Sequence, residues 1–271
     1  MMPLINSPMS SIDITTLFSL SGKVALVTGG SRGIGRMIAE GFVRSGATVY
    51  ITSRKREACE QTARELSAIG PCHAVPADIA TAPGRSSLVR AVETRVAALH
   101  ILVNNAGTNW AAAFSDYPEA GFQKVIDLNL TALFFLTRDL TPLLERAGRP
   151  EDPSRVINIG SIDGLCVPTV LPTPTFAYTA SKAAVHHLTR TLAIFLAPKQ
   201  ITVNAVSPGF FESKMTAQTL REHRRTIEKA CPLHRIGNPE EMAGVAIYLA
   251  SRAGAYTNGA VIPVDGGTSI S

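Results

Sequence analysis

The apolar run Val24-Ala25-Leu26-Val27 stops at Thr28 and opens into Gly29-Gly30-Ser31-Arg32-Gly33-Ile34-Gly35, after which a helix-forming stretch begins. A buried strand, a glycine turn and a helix start in that order are compatible with few folds. Glycines allow a tight turn and let the backbone approach a phosphate, which then faces the unpaired N–H groups of the helix. The spacing is TGxxxGxG rather than GxGxxG. A glycine-rich turn without a ligand is the bland alternative, and the strand–turn–helix setting argues against it. Gly29, Ser31, Arg32, Gly33, Ile34 and Gly35 are therefore candidate contacts to a nucleotide cofactor.

The same alternation continues down the chain. The first helix stops at Gly46, and a strand follows over 48–52. A charged helix is expected over 54–68, a short strand ending at Asp78, and an amphipathic helix over 84–97. Strand 101–103, a long helix over 119–146, strand 156–159 and a helix over 176–196 come next. Strand 202–206, a polar segment, a helix opened by Asn238-Pro239-Glu240-Glu241 and strand 261–264 complete the pattern. Strands and helices at this pitch predict a single-domain α/β protein of Rossmann type, a doubly wound parallel sheet with helices on both faces. Of the 271 residues, 45% are hydrophobic but only 6% aromatic, which suits a buried sheet of small aliphatic side chains. Residues 1–20 read as a loosely ordered N-terminal arm, and residues 21–271 as the domain.

A net charge of +5 without a Lys/Arg run or interleaved aromatics argues against a nucleic-acid partner. Cys59, Cys72, Cys166 and Cys231 are scattered, with no metal-ligand spacing, so reduced thiols in the cytoplasm and no metal are expected. The first twenty residues hold no Lys or Arg and read as no leader, and no apolar stretch approaches membrane-spanning length.

Nucleotide choice is read at the end of the second strand. It runs into Ser53-Arg54-Lys55-Arg56, with no carboxylate to bind ribose hydroxyls. Arg32 and Arg54 could clamp a 2′-phosphate by charge-assisted hydrogen bonds, which favours NADP(H), although three solvated cations are the plain alternative. Downstream, Tyr178 and Lys182 stand four residues apart in Ala177-Tyr178-Thr179-Ala180-Ser181-Lys182, on one face of a helix. A free phenol titrates near pH ~10 and needs a neighbouring cation to shuttle protons at neutrality. A half-buried ring beside a solvated charge would look the same. The glycine loop and Gly160-Ser161 at a strand end favour chemistry.

With TGxxxGxG, Asn104-Asn105-Ala106-Gly107, Ser161 and Tyr178-xxx-Lys182 in this order, the chain resembles the short-chain dehydrogenase/reductase family over residues 21–271. The resemblance implies an NADP(H)-dependent enzyme acting on CH–OH groups. By it, Tyr178 is the general acid, Lys182 lowers the tyrosine pKa and holds the nicotinamide ribose, and Ser161 donates to the substrate oxygen. Asn129 would anchor a water relay to Lys182. Asp78 and Ile79 would contact adenine, Asn105, Ala106 and Gly107 would line the cofactor groove with Ser53, Arg54 and Lys55 at its far end, and Pro208 and Gly209 would lie beneath the nicotinamide. Ser213 occupies the position of a threonine that bonds the carboxamide or phosphate, and Phe211 replaces a smaller aliphatic residue. His186 and His187 are expected to be packing or surface residues.

The resemblance reaches less far for substrate. The ending Gly254–Gly267 looks like that of the 3-oxoacyl-thioester reductase branch, and reduction of such a thioester or a similar apolar ketone is the working expectation. Phe210, Phe211 and Met215 are read as apolar lining, with Arg221, Arg224 and Arg225 at the rim and a proline-stiffened loop over 165–175 facing them. A polyol, sugar or other secondary-alcohol dehydrogenase is the rival enzyme. A non-catalytic nucleotide-binding regulator is the rival of another class. Surplus apolar positions on helices 119–146 and 176–196, among them Val125, Phe135 and Leu192, suggest a symmetric partner, and the resemblance, whose members commonly pair through these helices into dimers and tetramers, implies a homotetramer.

Overall fold

The computed structural model describes residues 12–167 and 174–271. After a helical turn, α1 (Ile14–Leu17), the chain enters β1 (Val24–Thr28), α2 (Gly33–Arg44), β2 (Thr48–Thr52), α3 (Arg56–Ser67), β3 (Cys72–Ala74), α4 (Ala82–Glu93) and β4 (Ile101–Asn104). It continues through α5 (Glu119–Ile126), α6 (Ala132–Ala147), β5 (Ser154–Ile159), α7 (Phe176–Leu196), β6 (Ile201–Pro208), α8 (Ala217–Ala230), α9 (Pro239–Ala250) and β7 (Val261–Val264). The strands form one sheet in the order β3-β2-β1-β4-β5-β6-β7, every pair parallel. Chain progression reverses between β1 and β4. A crevice therefore opens beyond their C-terminal ends, the usual ligand position in such a sheet.

Strand periodicity sorts the core. Ala25 and Val27 point into the layer beneath α2 and α9, with Ile38, Phe42, Ala246 and Leu249, while Leu26 between them joins Leu88, Leu136 and Val203 on the other face. Both faces are dry. That is the doubly wound arrangement expected of an aliphatic-rich chain.

Several boundaries differ from the sequence reading. The charged helix begins at Arg56, leaving Arg54 and Lys55 on the turn before it, and β3 ends at Ala74, four residues ahead of Asp78. The helix expected over 84–97 starts at Ala82, where the Thr81 hydroxyl accepts the Gly84 N–H. The long helix is divided by a π turn, Asp127–Thr131, which holds Asn129 inward. The polar segment after β6 contains α8, whose Leu220 and Ile227 pack with Ile236 and Phe210. Within the N-terminal arm Leu20 is fully buried, and residues 1–11 lie outside the described residues.

Candidate active site

The glycine loop is held open by its backbone. Gly29 and Gly33 have φ of +66° and +52°, where a side chain would be strained. A Cβ on Gly33 would also come within 3.0 Å of the Ser213 Cβ, so the loop after β6 closes over the glycine turn. Arg32, at the N-cap of α2, makes no side-chain capping bond. The first N–H groups of the helix thus face the crevice without a side-chain acceptor, as anion binding needs. Ile34 and Gly35 form the first turn.

Thr28 ties this loop to the next strand end. Its hydroxyl donates to the Val103 carbonyl (3.2 Å) and accepts the N–H groups of Asn105 (2.9 Å) and Ala106 (3.0 Å). The Asn105 amide returns the contact, donating to the Thr28 carbonyl at 2.8 Å. Asn104 spans the sheet to Thr137 and Asn158, each at 2.9 Å. Sequence reading identified the asparagines but passed over Thr28, whose role depends on a strand 75 residues away.

At the β2 end of the groove, Arg32, Arg54 and Lys55 are exposed beside half-buried Ser53. Among the described residues none of these three cations is in an ion pair, whereas neighbouring Arg36 and Arg56 pair with Glu65 (2.8 Å) and Glu60 (3.2 Å). A cluster of unneutralised cations beside glycines that a Cβ would obstruct fits a phosphorylated dinucleotide. Asp78 is exposed and its carboxylate accepts the Ala80 N–H, while the Ile79 side chain is buried in the core and its carbonyl accepts from the Arg85 guanidinium at 3.0 Å.

At the other end, α7 brings Tyr178 and Lys182 under the C-terminus of β5. The Lys182 ammonium donates to the Ile159 carbonyl at 2.7 Å and lies 5.5 Å from the centroid of the Tyr178 ring. Gly107 fits between: a Cβ there would lie 3.3 Å from Asn129 Oδ1 and 3.8 Å from Lys182 Nζ. Asn129 is buried, donating to the Thr108 carbonyl and the Ser181 hydroxyl (each 3.0 Å) and accepting the Thr108 N–H (2.9 Å). Its side chain therefore positions α7 against the groove.

Burial dominates the electrostatics. It pushes Tyr178 up to about 12, against a hydrogen bond from Ser161 that pulls it down, while the Asp163 charge adds to the rise. Burial brings Lys182 down to about 8, with Asp163 opposing. The expected lowering of the phenol by Lys182 is not met in this arrangement: burial dominates, and the ammonium is turned to the Ile159 carbonyl. The consequence is simple: Tyr178 keeps its proton at neutral pH. Asp163, which sequence reading missed, is itself raised to about 6 by burial, with Lys182 opposing. Its one sequence signal is an acid two residues after the strand-end serine. His186 is a packing residue as expected, buried with Nε2 2.7 Å from the Ser207 hydroxyl, and His187 is exposed.

Residues 29–269 match the family described as enoyl-(acyl carrier protein) reductase. The chain belongs to the short-chain dehydrogenase/reductase family. It is 48% identical to the rhamnolipids biosynthesis 3-oxoacyl-[acyl-carrier-protein] reductase of Pseudomonas aeruginosa, over 92% of this chain and 97% of that one. It is 35% identical to the L-tagatose-forming galactitol 2-dehydrogenase of Cereibacter sphaeroides, over 96% of this chain and 100% of that one. The solved Pseudomonas aeruginosa RhlG/NADP active-site complex superposes with a TM-score of 0.89 at 47% identity, covering 94% of this chain and 99% of that one. As an oxidoreductase of this short-chain family, the protein shares its fold with relatives of several substrates, so specificity must be sought in the side chains around the crevice.

There the structure corrects the substrate reading. Phe211 is a core residue, 3% exposed and packed over Gly237, with its carbonyl accepting the Thr216 hydroxyl at 2.7 Å, so its ring does not line a pocket. Phe210 joins the small core under α8, and Met215 is half exposed. An open cavity of about 660 Å³ lies between Glu212, Ser213, Lys214, Leu220, Arg221 and Arg224. Of the rim cations, Arg224 is paired to Glu212 (2.9 Å) and Glu228 (2.8 Å). Most of the proline-rich loop, residues 168–173, lies outside the described residues. Another open hollow, about 540 Å³, lies at the β3 edge of the sheet near Tyr50, Arg64 and His73, away from all these groups. Pro208 ends β6, and the N–H of Gly209 after it donates to the Val264 carbonyl at 3.0 Å.

Proposed function

We propose that this short-chain dehydrogenase/reductase reduces the ketone of a 3-oxoacyl thioester, or a similar apolar ketone, to a secondary alcohol with NADPH. The observation that carries the reading is a half-buried Tyr178 that retains its proton beside Ser161 and Lys182, at the end of a groove whose other end holds Arg32, Arg54 and Lys55. The names borne by the relative at 48% identity and by the NADP complex at 47% support the same substrate class and cofactor.

NADPH, when bound along the groove, supplies the hydride. The α2 N-terminus and Gly29, Ser31, Gly33, Ile34 and Gly35 would hold the pyrophosphate, and Arg32 and Arg54 the 2′-phosphate. Ser161 donates to the carbonyl oxygen and fixes it. Tyr178 then transfers its phenolic proton to that oxygen as charge develops there. Lys182, with a pKa of about 8, is mostly protonated at neutral pH and stabilises the phenolate that remains. Asn129 keeps α7 in register with the groove.

The same reading includes assembly and location. Ile194 and Phe195 on α7 are 79% and 71% exposed, an apolar surface that supports pairing of this helix with a symmetric copy and, through a second face, a homotetramer. Among the described residues no helix is long and apolar enough to cross a membrane, and the four cysteines are unpaired, which supports a cytoplasmic site.

A chain-length series of 3-oxoacyl thioesters, run with NADPH beside sugars, polyols and cyclic ketones, tests the substrate. Each added methylene should raise kcat/KM about fourfold, from ~0.8 kcal/mol of burial, until the pocket is filled. Turnover confined to polyols would reject the thioester and leave the proton path intact.

A further inference from the structure

Tyr178, Lys182 and His186 follow one another at four-residue intervals on α7 and so share one face of the helix. The first two carry the proton transfer proposed above. His186 is 3% exposed, and its imidazole lies against the backbone on either side of Ser161. A Cβ on Gly160 would run into Nε2, and one on Gly164 would come within 2.8 Å of Cε1. The ring thus occupies a slot that exists because the residue before Ser161 and the one three after it are both glycine. Close approach without side chains sets how far the serine backbone stands from α7.

Polar contacts hold the ring in that slot. Nδ1 lies 3.3 Å from the Gly164 carbonyl, and Nε2 lies 2.7 Å from the hydroxyl of Ser207, near the end of β6. A carbonyl only accepts, so Nδ1 carries the proton. Nε2 of the neutral ring is then free to accept from Ser207, itself fully buried. Burial keeps the imidazole neutral, holding it below its usual range against the pull of the Gly164 bond, with Lys182 and Arg190 lowering it further. One tautomer satisfies both partners. The Gly160 N–H donates to the Val206 carbonyl at 2.7 Å, and the Gly164 N–H to the Ser161 carbonyl at 3.0 Å. The segment bearing the serine is therefore fastened to β6 at one end and to His186 at the other.

We propose that His186 is a positioning residue: its imidazole sets the distance and aim of the Ser161 hydroxyl relative to Tyr178, and it acts through Ser161 without touching substrate or cofactor. The inference rests on the role given to Ser161 above. A donor aimed at a developing oxyanion loses much of its effect when displaced by about an ångström, so a buried seat beneath the serine turn bears directly on rate.

The test is a double-mutant cycle, with kcat measured per folded enzyme, counted by NADPH binding, on a ketone that the parent reduces. Ser161→Ala should lower kcat ~10²–10³-fold. His186→Phe keeps a flat ring and removes both bonds, and should lower kcat at least roughly tenfold while KM for NADPH is unchanged. Added to Ser161→Ala, the same substitution should have little further effect, because the group it aims is gone. His186→Asn, whose amide nitrogen can still donate to the Gly164 carbonyl, should recover most of the lost kcat. Where His186→Phe fails to fold, Ser207→Ala, which keeps the ring and removes the hydroxyl that fixes its tautomer, should give the same pattern with a smaller loss. Losses that multiply in the double variant, or no recovery in His186→Asn, would overturn the role of His186. Parent-like turnover by Ser161→Ala would instead overturn the role of Ser161 in the reading above.

Discussion

The two ends of β5 both hold buried charge, and they use it in opposite ways. At the N-terminal end Arg155 is 1% exposed, yet it donates to the Asp152 carboxylate (2.8 Å) and to the Leu249 and Ser251 carbonyls (each 3.0 Å). Lys23 completes the cluster with two bonds to Asp152, at 2.7 and 2.8 Å. The Arg155 guanidinium also ties the end of α9 to the sheet. At the C-terminal end buried Lys182 lies near half-buried Tyr178 and Asp163, but no ion pair joins them among the described residues. Both ends suffer desolvation. The first offsets it with an ion pair, although Arg155 Nη1 is left without a hydrogen bond, and the second, where Lys182 has only the Ile159 carbonyl, is left with groups near 6, 8 and 12 that ligands can shift. Paired buried charge holds a fold together, whereas unpaired buried charge is available for chemistry.

Breaking each end should produce different losses. The largest effect is expected for Tyr178→Phe, which removes the proton donor and little volume: kcat should fall ~10²–10⁴-fold while NADPH affinity and melting temperature hardly change. Steady-state kinetics beside calorimetry would check it, and parent-like turnover would show that the proton travels by another route. Next comes Asp152→Ala, which strands Lys23 and Arg155 and should remove roughly 3 kcal/mol of stability in urea unfolding, with kcat per folded molecule retained. If stability were untouched, the contrast between the ends would fail.

A third change sharpens the contrast at the groove. Replacing both Arg32 and Arg54 by Ala should weaken NADPH by about a hundredfold relative to NADH, roughly tenfold for each charge-assisted contact. Equal weakening of both cofactors in titration calorimetry would remove the 2′-phosphate from the reading. The smallest effect concerns Asp163, whose folded pKa is raised from 3.8 to about 6. The folded state holds this proton more tightly than the unfolded chain, so the associated stability is complete below the unfolded value and is lost as pH rises through about 6. Asp163→Asn should therefore be more stable than the parent at pH 7.5, by ~1–2 kcal/mol, and match it near pH 4. Melting curves at the two pH values would show this, and a difference independent of pH would contradict it.

Much of the site is legible in local spacing. The glycine loop, the Asn104–Gly107 segment and the Tyr178–Lys182 pair are each contiguous, and geometry within a turn or two follows from the chain itself. Thr28 and the inward turn at Asn129 were not legible, because their partners are distant: Thr28 bonds residues 75 to 78 positions on, and Asn129 bonds Ser181. Phe211 misled for the same reason. An aromatic residue after a sheet-end glycine suits a pocket wall equally well, until Gly237 supplies a gap that draws the ring into the core.

The sequence by itself determined the alternation that makes a parallel sheet, the presence of the glycine turn and the arrival of Ser161, Tyr178 and Lys182 at one edge. These follow from hydrophobic period and backbone freedom, which are properties of neighbouring residues. Tertiary structure alone decided which charges are paired, how deeply each is buried and thus which way each is shifted. Desolvation and Coulomb energies depend on distances between residues remote in the chain, so Asp152 became a clamp and Asp163 an unpartnered acid though both are aspartates flanking one strand.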